Sequence, residues 1–186
     1  MRFASMRNLD ISNGEGVGVS LFVQGCDRHC FNCFNPDTWD FNGGKEWTEE
    51  TKNKFIKLID RPYINRISVL GGEPLAEQNL DEVLSLIKEI RISFPEKTIW
   101  LYTGFCWNDI MCSFAGLQAD CVVLDKKDIE AWEKRRKIIF NIDVLVDGEY
   151  IDEQKDLSLK FRGSKNQRVI DVKQSLAQNK IVLYCD

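Results

Sequence analysis

The stretch Val17–Cys33, V-G-V-S-L-F-V-Q-G-C-D-R-H-C-F-N-C, joins a strand-like run to a loop that contains three cysteines. Val17–Val23 is rich in Val, Leu and Phe and runs into a glycine turn, which predicts a β-strand. Cys26, Cys30 and Cys33 then follow with x3 and x2 spacing. Three thiolates in one short loop can hold a four-iron cluster and leave one iron open for a small molecule. The stretch therefore predicts an enzyme with its cluster at the end of a strand.

A second motif, G-G-E-P at residues 71–74, follows the third cysteine after about one strand-helix-strand length of chain. Between the two motifs, Thr48 is predicted to cap a helix, because apolar residues recur at helical spacing after it. Ile67–Leu70 is then predicted to be a short buried strand that ends at G-G-E-P. The spacing matches one right-handed crossover unit, so both motifs are expected at the carboxyl edge of a parallel sheet.

The alternation of helices and strands continues beyond G-G-E-P. Asn79 and Glu82 have the spacing of a capping box, which predicts a helix that must end before Pro95. Thr98–Tyr102 is strand-like and runs into a Thr-Gly pair. This second crossover unit adds another loop to the same edge of the sheet.

Two further strands are predicted in the last third of the chain. Cys121–Leu124 is strand-like and precedes the charged helical pattern K-K-D-I-E-A-W-E-K-R-R-K, and Ile142–Val146 is strand-like and ends at Asp147. About five βα units are too few for a full eight-stranded barrel, which takes about 250 residues. The predicted fold class is therefore α/β, an incomplete TIM-like barrel of parallel strands with outer helices, open on one side to a large substrate.

The length and composition indicate one compact domain. The chain has 186 residues, 44% of them hydrophobic, and a domain typically holds about 100–200 residues, so 1–186 is predicted to be a single domain. A net charge of −4 and a pI near 5.2 provide no broad basic surface for a phosphate backbone. A nucleic-acid partner is therefore not expected.

Targeting signals and cysteine usage bear on the location of the protein. No apolar run approaches the ~20 residues of a membrane helix, and the first ten residues lack the apolar core of a secretory signal. No membrane partner is therefore expected. Seven cysteines, three of them within eight residues, suit a reducing compartment, so the predicted location is the cytoplasm.

The order C-x3-C-x2-C and then G-G-E-P resembles the radical S-adenosylmethionine superfamily. Within it, Asp10–Trp39 and F-R-G-S-K-N-Q-R at Phe161–Arg168 resemble the activating proteins of anaerobic ribonucleotide reductases, and the similarity runs over most of the chain. The resemblance implies the same partial barrel and one 4Fe-4S cluster held by Cys26, Cys30 and Cys33. It also implies S-adenosyl-L-methionine as the cofactor, chelated to the open iron by its amino and carboxylate groups.

The resemblance further implies a reaction and its partners. One electron from the cluster would cleave the cofactor to methionine and a 5'-deoxyadenosyl radical. That radical would take the α-hydrogen of a glycine near the C-terminus of the anaerobic ribonucleoside-triphosphate reductase, the protein substrate, and leave a glycyl radical. Because the step needs the low end of the iron-sulfur potential range, a low-potential electron donor such as a flavodoxin is expected. No catalytic residue beyond the cluster and the cofactor is expected.

Five predicted cofactor-binding residues follow strands. Gly71 and Gly72 are predicted to offer backbone acceptors to the cofactor's ammonium group, because a residue without Cβ lets a ligand approach the main chain. Glu73 is predicted either to add an acceptor or to hold the turn. Thr103 and Asp147 are predicted to reach the cofactor from the next strand ends.

The other predicted cofactor-binding residues lie in two loops. Asn32, Cys33 and Phe34 resemble the positions that contact adenine in the superfamily. The commonest pattern has an aromatic residue just before the third cysteine, so Asn32 implies a backbone contact without stacking. Asn166 and Arg168, in the N-Q-R run, are donors predicted to bind the cofactor's carboxylate or ribose, or the partner's tail.

The cysteines also admit other interpretations. A structural zinc site needs a fourth ligand, and only His29 is close in sequence. A thioredoxin-like pair of Cys30 and Cys33 would leave Cys26 and G-G-E-P without a role. The remaining cysteines match no compact ligand spacing and are predicted to pack as small hydrophobic residues; these are Cys106, Cys112, Cys121 and Cys185.

Two alternative functions stay open at this point. One is a radical enzyme with another target, such as a pyruvate formate-lyase activator or a small-molecule enzyme. The other is a non-catalytic iron-sulfur electron carrier, which would ligate every iron and would not need G-G-E-P. Cleavage of the cofactor would distinguish the carrier from the enzymes, and only the partner would distinguish the two activators.

Overall fold

The computed structural model describes residues 1–112 and 125–185, and within them eight strands form one sheet accompanied by five α-helices. The strands are β1 (Arg2–Asp10), β2 (Gly18–Val23), β3 (Lys45–Glu46), β4 (Arg66–Gly71), β5 (Thr98–Tyr102), β6 (Val144–Asp147), β7 (Arg168–Asp171) and β8 (Leu183–Cys185). The helices are α1 (Glu49–Ile59), α2 (Glu77–Ser93), α3 (Trp107–Met111), α4 (Lys126–Ile139) and α5 (Val172–Gln178). Among the described helices, none combines the length and apolar character that a bilayer crossing requires.

The sheet has the order β3-β1-β2-β4-β5-β6-β7-β8, with a parallel centre and antiparallel edges. The four central strands β2, β4, β5 and β6 run parallel, which confirms the predicted strand-helix alternation. The edge strands were not predicted: β1 and β3 pair antiparallel on one side, and β7 and β8 on the other. The architecture is therefore a mixed α/β sheet of eight strands.

The helix starts test two sequence signals. Thr48 caps α1 as predicted, because its hydroxyl accepts a hydrogen bond from Thr51 N at 3.2 Å. The capping box at Asn79 and Glu82 was wrong: α2 begins at Glu77, and the Asn79 amide is buried and donates to main-chain carbonyls instead. The predicted strand Cys121–Leu124 lies outside the described residues.

The two faces of the sheet have different coverings, and each takes alternate residues of the central strands. The helix face packs against the helices in one apolar core, and its strand residues are Val19, Leu21, Val23, Ile67, Val69, Ile99, Leu101 and Leu145. The loop face carries the residues in between, namely Ser20, Phe22, Arg66, Ser68, Leu70, Trp100, Tyr102, Val144 and Val146. Loops rather than helices cover it, as Trp100 shows by its edge contact with Phe161 at 5.1 Å between ring centroids.

Arg66 anchors one of these loops on the loop face. Its side chain has 0% exposure. It donates to the main-chain oxygen of Asp10 at 2.7 Å and of Glu15 at 3.2 Å, to that of Asn13, and to the hydroxyl of Ser68. The Asp10 carboxylate lies 3.4 Å from the same guanidinium. Segment 10–15 is thereby held against the sheet beside the site.

Candidate functional site

A cavity of about 550 Å³ opens at the carboxyl ends of the parallel strands. The sequence predicted that the motifs would meet at this edge, and eight of the predicted site residues line the cavity: Cys26, Cys30, Cys33, Phe34, Gly71, Gly72, Glu73 and Thr103. Four do not line it: Asn32, Asp147, Asn166 and Arg168.

The cysteine loop is fixed at its base by main-chain hydrogen bonds. Gly25 N donates to Thr38 O at 2.8 Å, and Cys26 N donates to Trp39 O at 3.0 Å. Gly25 has a φ of 95°, and a Cβ there would lie 2.1 Å from the ring of Phe41. Only glycine combines this conformation with this packing, so the turn after β2 directs the three cysteines into the cavity.

The three thiols provide the donor chemistry that an iron-sulfur cluster needs. Cys26, Cys30 and Cys33 form no disulfide and share one loop and one cavity. Within 1–112 and 125–185, no three His, Cys, Asp or Glu side chains are grouped closely enough to hold a metal ion as they stand. Cys30 Sγ instead lies 3.5 Å from Oε1 of Glu149. Metal ligation by these thiols would require them to ionise.

Burial and nearby carboxylates raise the pKa of two of these thiols. Burial raises the pKa of Cys30 to about 11, and the Glu149 carboxylate adds to the rise. Burial also raises the pKa of Cys26. His29 does not join them, because its ring stacks on Trp39 with centroids 4.6 Å apart. The structure thus offers sulfur ligands but no imidazole in the zinc arrangement considered above.

Gly71 and Gly72 lie where the G-G-E-P loop packs on the cysteine loop. Gly71 has a φ of 106°, and a Cβ on it would lie 2.8 Å from Phe22 Cα. A Cβ on Gly72 would lie 2.5 Å from the carbonyl oxygen of Gly25. Gly72 N also donates to Val23 O at 2.9 Å. The absence of side chains is therefore required for the two loops to touch each other, whatever ligand they bind.

Glu73 holds the turn, the second of the two roles predicted for it. Its side chain is 1% exposed, and its carboxylate accepts from Leu75 N at 2.9 Å, from the Thr103 hydroxyl at 2.7 Å and from Gly104 N at 2.8 Å. Burial raises its pKa, while these hydrogen bonds oppose the rise. Both oxygens of Glu73 and the hydroxyl of Thr103 are thus committed to joining the loops after β4 and β5.

Asp147 and Arg168, both predicted to bind the cofactor, bind each other. Asp147 is buried, and its carboxylate accepts from Arg168 Nε at 2.9 Å and from Trp107 N at 2.7 Å. Asn166 lies nearby and donates to Glu149 O at 2.8 Å. This pairing joins β6 to β7.

Asn32 and Phe34 contact residues that follow β6. Asn32 has a positive φ of 53° and donates to the Asp152 carboxylate at 2.9 Å. Phe34 is 56% exposed and meets Tyr150 edge to face at 5.1 Å. The loop after β6 therefore packs against the cysteine loop and helps to enclose the cavity.

Sequence reasoning missed several residues that line the cavity. Ser12 and Asn13 reach it from the segment that Arg66 anchors, and Tyr102 reaches it from the loop face. Arg28 reaches it from within the cysteine loop and contacts Glu73. The position of Arg28 between two cysteines was an available signal, but its partner lies 45 residues away and no local pattern indicates it.

Comparison with known proteins identifies what the chain resembles. The family of 4Fe-4S single cluster domains matches residues 12–170. A protein of Salmonella typhi is 33% identical over 171 residues, which cover 91% of this chain and 97% of the relative. A Vibrio cholerae protein is 34% identical, with 90% and 96% covered, and an Enterobacteria phage T4 protein is 32% identical, with 91% and 93% covered. All three are named anaerobic ribonucleoside-triphosphate reductase-activating protein.

Proposed function

The chain belongs to the family of anaerobic ribonucleoside-triphosphate reductase-activating proteins, and on this premise we propose that it is a radical S-adenosylmethionine activase. In the proposed reaction it cleaves S-adenosylmethionine reductively and generates a glycyl radical on the anaerobic ribonucleoside-triphosphate reductase. It is then an oxidoreductase whose substrate is another protein.

One observation carries the proposal: the three free thiols and the Gly71-Gly72 pair meet in a single cavity at the ends of β2 and β4. An electron carrier would need the thiols but has no use for a second loop packed against them. A cofactor that must lie beside the cluster needs both. The meeting of the two loops therefore favours the activase over the carrier.

In the proposed site, the chain's own residues hold the cluster and orient the cofactor. When bound, a 4Fe-4S cluster supplies the electron that cleaves the cofactor. Cys26, Cys30 and Cys33 are the residues that would ligate it, as thiolates. The main chain at Gly71 and Gly72 is proposed to accept from the cofactor's ammonium group, and the Glu73 contacts keep that main chain in place.

Residues of other loops are proposed to complete the cofactor site. Asn32 is proposed to contact adenine through its main chain and Phe34 through the edge of its ring. Thr103 is proposed to line the site. Asp147 and Arg168 are proposed to act together as a pair near the cofactor, with Asn166 beside them.

The setting of the reaction is also part of the proposal. The sheet is proposed to be an incomplete TIM-like barrel within a single domain 1–186, open on one side to the reductase. The protein is proposed to work in the cytoplasm with a low-potential donor such as a flavodoxin, without nucleic acid or membrane.

An anaerobic assay tests the proposal. The protein is reconstituted with iron and sulfide, reduced with dithionite and given S-adenosylmethionine, with and without the anaerobic reductase. We expect 5'-deoxyadenosine and, with the reductase, the doublet of a glycyl radical in electron paramagnetic resonance. Cleavage without the doublet would indicate another target, such as pyruvate formate-lyase, and an intact cluster without cleavage would indicate an electron carrier.

The ligand assignment has its own test. Alanine at Cys26, Cys30 or Cys33 should abolish the 4Fe-4S absorption and most of the bound iron. Alanine at Cys112, whose thiol donates to Asp109 O at 3.2 Å outside the cavity, is the matched control. Equal loss of iron in the control would contradict the assignment.

A further inference from the structure

Arg28 lies midway between Cys26 and Cys30, yet its side chain contacts residues of other loops. Its Nε lies 3.4 Å from Oε2 of Glu73, and a terminal nitrogen lies 3.8 Å from Oε2 of Glu149. Glu73 follows β4 and Glu149 follows β6. One guanidinium therefore connects the cysteine loop to two other loops of the cavity.

The same guanidinium stacks on an aromatic ring. Arg28 Cζ lies 4.3 Å from the ring centroid of Phe105, in the loop after β5. Arg135 of α4 contacts the same ring at 4.5 Å and donates to Leu75 O at 3.0 Å, just after G-G-E-P. A guanidinium over an aromatic face is attracted by the negative charge density of the ring. The ring of Phe105 thus links the cysteine loop to a helix outside the cavity.

The main chain at Gly104 makes room for Arg28. A Cβ on Gly104 would lie 2.2 Å from Arg28 Cδ and 2.5 Å from its Nε. Gly104 N meanwhile donates to the same Glu73 oxygen that faces Arg28. The loop after β5 is therefore shaped around this side chain by a feature independent of its ion pairs.

From these contacts we infer that Arg28 is a positioning residue that fixes the cysteine loop against the loops after β4, β5 and β6 and supplies positive charge beside the cluster ligands. The inference rests on the proposed function, because it takes Cys26 and Cys30 as those ligands. Arginine suits both tasks, since its planar fork pairs with carboxylates and stacks on aromatic rings. A cation beside thiolates also stabilises the added electron of a reduced cluster.

The test distinguishes the effect of the Arg28 charge from the effect of the position of its side chain. Arg28→Gln removes the charge, Arg28→Lys keeps the charge without the planar fork, and Gly104→Ala displaces Arg28 without altering it. Arg61→Gln is the matched control, because Arg61 also stacks on a ring, that of Tyr63, but does not line the cavity. Each protein is reconstituted anaerobically, its iron is counted, and its cluster is titrated by redox potential with electron paramagnetic resonance detection, before and after S-adenosylmethionine.

The three variants should differ in redox ratio and in spectral response. Arg28→Gln should load iron, but its ratio of reduced to oxidised cluster at a fixed potential should fall about fivefold, the order expected for loss of one charge at a solvent-accessible site. Arg28→Lys and Gly104→Ala should keep a near-normal ratio and show a weaker spectral response to S-adenosylmethionine. The control should match the wild type in both measurements.

Several outcomes would overturn the inference. Arg28→Gln with the potential and spectral response of the control would do so, and so would a loss confined to iron content in all three variants, which is a purely structural effect. Wild-type protein that holds no cluster, or whose loaded cluster never responds to S-adenosylmethionine, would contradict the proposed function itself. That failure is visible in the wild type alone and is therefore distinct from failure of the Arg28 assignment.

Discussion

The helix face and the loop face take alternate residues from the same strands, yet they differ in chemistry. On the helix face, β4 and β5 present only Ile, Val and Leu. On the loop face, the same two strands present Arg66, Ser68, Leu70, Trp100 and Tyr102. Apolar side chains need only to leave water, whereas each buried polar group needs a particular partner. Alternate residues along each strand therefore have different roles: those on the helix face stabilise the core, and those on the loop face form the wall of the site.

The largest effect on stability is expected from removing the buried cation of the loop face, Arg66. Arg66→Met should lower the free energy of unfolding by about 3–5 kcal/mol, because the buried Asp10 carboxylate and several main-chain oxygens lose their donor. Urea unfolding measures this loss. Hydrogen exchange should also show segment 10–15 losing protection before the helices do. A loss no greater than that of Arg61→Met would show that the buried cation is replaceable.

A slightly smaller effect is expected from the helix face. Leu101 is fully buried against the helices, and Leu101→Ala should cost about 3 kcal/mol through lost contacts and a cavity. Iron content and cofactor binding per folded molecule should remain unchanged, because the side chain points away from the site. Selective loss of iron with normal stability would contradict the separation of the two faces.

Acid should act on the loop face through Asp10. Burial opposes ionisation of this carboxyl, but hydrogen bonds from Asn13, Ser20 and Ser12 outweigh it and lower its pKa to about 2. Because the folded pKa lies below the unfolded one, the stabilisation is complete above about pH 5 and is lost as the pH falls towards 2, amounting to about 2 kcal/mol. The difference in unfolding free energy between wild type and Asp10→Asn should shrink over this range. A difference independent of pH would exclude this role.

The smallest effect is expected at Tyr102. Its hydroxyl is buried on the loop face and finds no hydrogen-bond partner among the described residues. Tyr102→Phe should therefore change the unfolding free energy by less than about 0.5 kcal/mol or increase it. Tyr150→Phe is the control, since that hydroxyl donates to Asp152 at 2.6 Å, and it should lower the free energy of unfolding. A larger loss at Tyr102 than at Tyr150 would mean that its hydroxyl is paired in solution.

The sequence predicted the central strands and the meeting of the two motifs because those signals are local. Thr98–Tyr102 is a continuous apolar run, and a glycine pair after a strand marks a turn wherever it occurs. The edge strands escaped prediction because β1 mixes exposed polar with apolar residues. Asn79 was misassigned because a buried amide and a capping amide look the same in sequence.

The partners of the charged residues could not be predicted for a different reason. Arg66 meets Asp10 across 56 positions, and Arg168 meets Asp147 across 21. Many alternative pairings have the same charges, and only the strand order selects among them. Glu73 had two predicted roles, and the choice depended on Thr103 and Gly104 arriving from the next strand.

The anchoring of segment 10–15 by Arg66 also has a consequence for how the chain folds. The guanidinium is in place only after β4 has aligned with β2, because Arg66 must reach Asp10 across 56 positions of chain. Contacts between distant residues form slowly, since loop closure precedes any gain from them. We expect the wall containing Ser12 and Asn13 to be completed late in refolding, after the helices, so that a stopped-flow signal from Trp100 would lag behind the far-ultraviolet circular dichroism.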